Sequence, residues 1–444
     1  MTTLIETAPK MDVAIQDIEH LVEERCVCCE AGELRASHAL YSPLFQRREQ
    51  REAAHTSLQG VLSALPRTSL EPMVLAGEGV VPKAVRAMQA FISEGRWDDA
   101  QLLHQHWKAV ERDLGADDGV LMGDGSDVPK QGIHAAGVKR QDCGELGQRA
   151  NGQAGGVVGS VSPTGSTVLD RRLSVPVEWG TDAASAERRT QGGLPPEVTC
   201  KTKPALAQER LAAVVKTQGL RCRWVVADEA CGCATGLLDG VAGLGLWYCA
   251  EVSHPTRVWH ERPATHVPPW RGRGRRPQRE RLVQGAPAAR TVRKVAATLP
   301  AVAWARQTIK EGSQGPLVAE CAALRVIAVR DTLPGPDVWV VRRRHLETGE
   351  VKTSLCHAPR DTALETRVRL SGMRWPIATG CEDSKQLLGM GEDAVRSWTG
   401  WPHHRTWVIL AHFFVVRMSL RLKKSARGDA APGADGVGGR LAQA

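Results

Sequence analysis

The chain has 444 residues, with 58 Lys and Arg against 49 Asp and Glu and a formal net charge of +9. Hydrophobic residues make up 42% and charged residues 24%, the balance of a globular protein with enough chain for two or three domains. No apolar run reaches the ~18 residues of a membrane span, the start lacks a signal-peptide layout, and twelve Cys over this length make no disulfide framework. Membrane and disulfide-rich secreted classes are therefore excluded, and a cytoplasmic location is expected. One imbalance stands out: 13 Trp against 4 Phe and 2 Tyr.

In chain order, residues 1–41 read as a flexible N-terminal extension. Residues 42–115 read as helical, with helix-like apolar spacing over Arg47–Val61, Pro82–Ser93 and Asp98–Asp113. Strand-like pieces follow at Gly119–Gly123, Gly155–Val161 and Thr167–Trp179. A helix is expected over Leu206–Thr217, a short buried strand over Arg223–Ala227, a helix over Ala234–Leu244 and a strand over Leu246–Val252. Extended pieces at Leu324–Arg330 and Val338–Arg344 precede helices over Thr362–Leu387, broken near Gly372, and Trp401–Lys424. Residues 425–444 are rich in Gly and Ala and read as a disordered tail. This order describes a mixed α/β protein.

Charge is concentrated in residues 251–300, which hold eleven basic and three acidic side chains. At the centre lies an arginine strip, Arg271, Arg273, Arg275 and Arg276, bounded by prolines. Guanidinium groups bind phosphate oxygens bidentately and release counterions, so the strip suits nucleic acid; a solvated loop is the bland reading. Cys26-Val-Cys28-Cys29 and Cys231-Gly-Cys233 lack a second ligand pair at zinc spacing and read as thiols.

Two acids end apolar strands: Asp124 after Val-Leu-Met-Gly and Asp228 after Trp-Val-Val-Ala. Carboxylates on rigid strand ends suit hard cations such as Mg²⁺. An Asp at such a place is more often a turn or helix cap, and Asp127 is a nearby alternative to Asp124.

The segments GDGSDVPKQG (Gly123–Gly132), GVKRQ (Gly137–Gln141) and LGQRANGQAG (Leu146–Gly155) resemble the first-aspartate region of bacterial insertion-sequence transposases of the DDE superfamily. VVADEACG (Val225–Gly232) resembles their second-aspartate motif, and the stretch Arg374–Phe414 resembles their third-acid and C-terminal helices. The insertion sequence family 701 group is the nearest in pattern, over Phe45–Lys424. The resemblance implies an RNase H-like mixed sheet with flanking helices, built from residues 116–255 and 346–424. It further implies a basic, partly β insertion over 256–345 and a helical DNA-end-binding region over 42–115. Implied partners are the element's inverted repeats, target DNA and a second copy of the chain in a paired-end complex on the nucleoid. The implied chemistry is Mg²⁺-dependent strand cleavage and transfer at two metal ions held by three carboxylates. Asp124 and Asp228 are the implied metal ligands, Arg374 and Lys385 the catalytic cations, and Lys130, Lys139 and Arg140 DNA contacts.

The family's helix signature, Tyr-x-x-Arg-x-x-x-Glu-x-x-x-x-x-x-Lys, is broken in this chain. Arg374 and Lys385 match it, but Ser371 replaces the Tyr and Ala378 replaces the Glu. Glu382, one helical turn on, substitutes as ligand only if the helix slides by about 5.4 Å. Val128, Asp142, Cys231, Cys381 and Asp393 stand where the group usually has Phe or Tyr, and a buried, unpaired Asp is costly. His403 and His404 read as helix-cap or phosphate contacts, and Trp398, Trp401 and Trp407 as packing residues. Three readings remain open: a transposase, a DNA-binding relic that only occupies element ends, and an RNase H-like nuclease without strand transfer.

Overall fold

The computed structural model describes residues 27–428, apart from residues 64, 66–68, 79–80, 144–145, 181–182, 218, 271 and 313–314. Five helices open the described chain: α1 Val27–Ala39, α2 Arg48–Val61, α3 Leu70–Glu78, α4 Pro82–Ser93 and α5 Asp99–Leu114. Asp98 starts α5 by accepting hydrogen bonds from the Ala100 and Gln101 amides, satisfying two orphan donors. Four strands follow, β1 Val120–Pro129, β2 Lys139–Cys143, β3 Gln148–Val161 and β4 Ser166–Leu173. Then come α6 Ala183–Gly192, α7 Lys203–Lys216, β5 Trp224–Ala227, the short α8 Glu229–Gly232, α9 Thr235–Gly243 and β6 Trp247–Glu251.

The next stretch has small pieces, β7 Arg257–Trp259, β8 Thr265–His266, β9 Arg281–Leu282, β10 Arg290–Thr291 and α10 Val292–Ala296. Long strands follow: β11 Ala305–Gly312, β12 Gly315–Arg330, β13 Leu333–His345 and β14 Val351–His357. Helices α11 Leu364–Gly372, α12 Trp375–Gln386 and α13 Gly400–Gly428 close the described chain.

The sheet runs β10-β7-β12-β13-β14-β6-β5-β1-β3-β2, with β11 beside β12 and β4 beside β3. Only the β1–β5 and β5–β6 joints are parallel. All four residues of β5 are buried, as a strand between two parallel neighbours requires. The main core gathers around these strands from both faces. A second core joins α2–α5 to the first half of α13, where Phe45, Phe91, Trp97 and Trp407 pack ring against ring. A third lies between β7, β12, β13, β14 and α10.

Several expectations need correcting. Val27–Ala39, expected inside a flexible extension, is helical. The third strand-like piece ends at Leu173, because β4 is followed by a short helical turn at Val177–Trp179. β2, β11 and β14 carry too little apolar alternation to be read from sequence and form by pairing with longer neighbours. The break expected near Gly372 falls between α11 and α12. The tail expected to be disordered lies outside the described residues beyond residue 428.

Three buried histidines tie helices to their surroundings. His106 of α5 donates from Nε2 to the Val168 carbonyl at 2.9 Å, and His412 of α13 meets Thr167 Oγ1 at 3.2 Å. His404 of α13 lies 3.2 Å from the Gly389 carbonyl. Burial holds each imidazole neutral, down to about 4. Unfolding lets them take up protons below the ordinary value of 6.5, so stability falls as pH drops from 6.5 towards 4. The expected result is a melting temperature that declines steeply across that window, with a shallower decline in His412→Asn. A melting temperature flat from pH 7 to 4.5 would show that these histidines do not set acid stability.

Candidate active site

The parallel joint β1–β5 builds the candidate site. Val120, Leu121 and Met122 pair with Trp224, Val225 and Val226. Carried two residues further, that register sets Asp124 beside Asp228, the residue after β5; Asp124 itself lies midway along β1, which runs on to Pro129, against the expectation that it ends its strand. Asp124 accepts the Gly125 amide at 2.8 Å; Asp228 caps α8 by accepting the Cys231 amide at 2.9 Å. Asp228 is thus a helix cap, as the bland reading held, and also a neighbour of Asp124.

The electrostatics join the two acids. Burial raises the Asp124 carboxyl above its usual range, and the Asp228 charge raises it further. The Gly125 amide, Arg374 and Lys203 act against that rise. A half-buried carboxylate pressed by a second one suits a bound cation.

Helix α12 lies across β4, β3 and β1. Ile377 sits on Gly159 of β3, where any Cβ would collide with its Cδ1. That contact fixes the helix close to the sheet and sets its rotation. Arg374 Nη2 is then 3.7 Å from Asp124 Oδ1, and Asp124 presses on the buried Cys381 thiol, which burial has already raised to about 12. Ala378 falls between these two on the same helical face, four residues after one and three before the other. Lys385 donates from Nζ to the Asp127 carbonyl at 2.8 Å, holding the far end of the helix to β1.

Glu382 is not brought to the pair. It is exposed and accepts a hydrogen bond from Gln386 at 3.2 Å. Among the described residues no three His, Cys, Asp or Glu side chains are placed to hold a metal ion. As donors, Asp124 and Asp228 fit one divalent cation completed by water; they do not supply the three carboxylates of a metal pair.

The expected DNA contacts divide. Lys130 is buried and pairs with Asp393 at 2.8 Å; Arg405 lies 3.6 Å from the same carboxylate. Burial opposes the Asp393 charge, but His404 (protonated in the acid range where Asp393 titrates), Lys130 and Arg405 hold it down to about 2. Asp393 is therefore paired, against the expectation of an uncompensated charge, and Lys130 is its partner rather than a DNA contact. Lys139 is half-buried beside Glu178 at 3.4 Å, and Arg140 is exposed. Arg273, Arg275 and Arg276 are exposed on the loop that closes the β8–β9 hairpin, where Arg276 stacks on Trp270 at 5.2 Å; Arg271 lies outside the described residues.

His403 and His404 are buried rather than poised for phosphate. His403 stacks on Trp97 at 3.7 Å and meets the Ile92 carbonyl at 2.9 Å. Trp401 and Trp407 are core residues, as expected. Lys203, at the start of α7, was missed: its Nζ is 3.6 Å from Asp127 Oδ1. Only a resemblance in that segment, which no motif supplies, would have marked it.

A mixed sheet with two adjacent carboxylates, one within β1 and one just past β5, closed by a helix that brings a cation to the first, is the plan of a nuclease-type phosphoryl-transfer enzyme. The chain belongs to the DDE superfamily endonuclease family, whose model matches residues 40–316. That match includes Asp124 and Asp228 and ends before α12. No curated protein matches the chain. Among the described residues no helix is long and apolar enough to cross a membrane.

Removing one member of a buried ion pair leaves the other uncompensated, at a cost of about 3–5 kcal/mol, whereas an exposed pair is worth about 0–1. Lys130→Ala is therefore expected to lower the melting temperature sharply and to leave DNA affinity per folded molecule unchanged. Weaker DNA binding with unchanged stability would return Lys130 to the DNA surface.

Proposed function

We propose that the chain is an insertion-sequence transposase by descent, of the family 701 type, that binds DNA and is crippled in strand cleavage at one position. The sheet order β4-β3-β1-β5-β6, antiparallel up to β1 and parallel beyond it, supports the RNase H-like reading. The strands β7 and β11–β13, with the arginine hairpin, support the reading of an insertion after β6. Inverted-repeat recognition by the N-terminal helices and pairing of two copies on DNA are parts of this proposal.

In the proposed chemistry Asp124 and Asp228 hold a Mg²⁺ ion, which when bound would polarise the phosphodiester and favour attack on it. Arg374 is within reach of the same phosphate. The protein's own share is to hold the two carboxylates side by side, one on β1 and one just past β5, and to present guanidinium and ammonium groups to the phosphate oxygens. Ala378 carries the conclusion. It lies between Arg374 and Cys381, the two residues of this stretch that meet the Asp124 charge, and a methyl group donates no oxygen.

The test is a cleavage assay on DNA carrying the element's own ends, with Mg²⁺. The wild-type chain is expected to bind and to cleave poorly. Ala378 is exposed, so Ala378→Glu has room for its carboxylate. A restored ligand stabilises the transition state by several kcal/mol, so cleavage should rise at least about a hundredfold. Joined products identify a transposase, and nicked products alone a nuclease without strand transfer. Full wild-type cleavage abolished by Glu382→Ala would overturn the proposal.

A further inference from the structure

Strand β4 carries Asp170, Arg171 and Arg172 in succession, and their charges do not balance. Asp170 is fully buried and takes Arg171 at 3.4 Å and Arg210 of α7 at 3.2 Å. Arg171 reaches Asp99 as well, with the Pro402 carbonyl and Thr406 Oγ1. Arg172 is half-buried and makes no ion pair among the described residues. Burial, then the like charge of Arg210, pushes its pKa down. A guanidinium held this way weakens the fold unless an anion joins it.

The place has room for one. A cavity of about 220 Å³, open to solvent, lies between α5, β4, α7 and the start of α13. Arg172, Arg210, Trp398 and Trp401 are among its walls, and the first turns of α5 and α13 border it. Both helices turn their positive ends to the cavity, and the acids there, Asp99 and Asp170, are already paired, the first with Arg171 and the second with Arg171 and Arg210.

Lys203 ties the cavity to the candidate active site: it acts on the Asp124 carboxyl, which lies on the face of β1 opposite to that of Gly125. Gly125 pairs with Gly156, and Gly156 with Arg172, so the three share one face of the sheet. Lys203 Nζ lies over that face, 3.6 Å from where Gly125 would carry a Cβ. Two strand spacings, roughly 9.6 Å, separate Gly125 from Arg172, close to three nucleotides of rise along a duplex.

We propose that this cavity is a nucleotide-binding site, in which Arg172 takes the phosphate and Trp398 the base, on a DNA strand running from Asp124 and Asp228 past Lys203. The proposal rests on the DNA-binding reading above. A free nucleotide has the same chemistry and is the competing source.

The full chain is tested as wild type, Arg172→Met and Arg172→Lys. Melting temperature, affinity for end DNA across a salt series and affinity for dAMP are measured. Arg172→Met is expected to melt at an equal or higher temperature while binding DNA more weakly. Its log-affinity against log-salt slope should be shallower by about 0.9, the loss of one phosphate contact, and Arg172→Lys should keep the slope. Arg172→Met that melts lower with unchanged DNA binding makes the residue structural and overturns the proposal. So does loss of dAMP binding alone, which assigns the cavity to a free nucleotide. A wild-type chain that binds no DNA overturns the preceding reading, and retained dAMP affinity in Arg172→Met then overturns this one as well.

Discussion

The seat of α12 on the sheet depends on one missing side chain. Gly159 lies under Ile377, and no larger residue would let the helix approach so closely. From that contact the helix has one rotation and one depth, fixed at its start by Arg374 on Asp124 and at its end by Lys385 on the Asp127 carbonyl. Positions 378 and 382 are both exposed, one turn apart on the same face. A slide of one turn, about 5.4 Å, would bring Glu382 to where position 378 stands but would break all three contacts. On the proposed reading, this packing is what keeps Glu382 from serving as the third acid.

The same region contains most of the exchanged aromatic positions. Val128, Cys231 and Cys381 are buried. Asp393 departs most in chemistry and yet is best compensated, with Lys130, Arg405 and His404 around it. A charge there is tolerated because β1, the α12–α13 connection and α13 each bring a cationic or ionisable group to one point. The exchange has produced a polar clasp rather than a hole. On the proposed reading, the methyl group at 378 bears on catalysis alone, while the paired Asp393 bears on the fold.

The sequence made the centre of the fold legible and left its edges obscure. β5 was readable because a strand buried on both faces must be continuously apolar, and the α11–α12 break because Gly372 interrupts a helical pattern. Asp124 and Asp228 stood out for the same reason, as acids directly after apolar runs. β2, β11 and β14 were not readable, since they owe their conformation to partners distant in sequence. Charge was read least well. Lys130 looked like a DNA contact because a lysine beside a loop usually meets solvent, and only the fold shows Asp393 behind it. Arg172 looked like one basic residue among many, and only the fold shows that its neighbours' carboxylates are already taken.

The tryptophan excess gains a physical side from this. The indoles of Trp97, Trp107, Trp179 and Trp259 donate to backbone carbonyls. Those of Trp339, Trp401 and Trp407 are buried without an acceptor. A buried N–H left unpaired costs about 1–3 kcal/mol, a loss that phenylalanine would not incur. Trp407 stacks on Phe45 and Trp401 packs on Gly155, so both rings serve as bulk. The imbalance thus has two components: tryptophans that anchor through the indole N–H, and tryptophans that act through the ring alone, as where Arg367 lies over Trp339 at 3.7 Å and Arg405 over Trp401 at 5.3 Å.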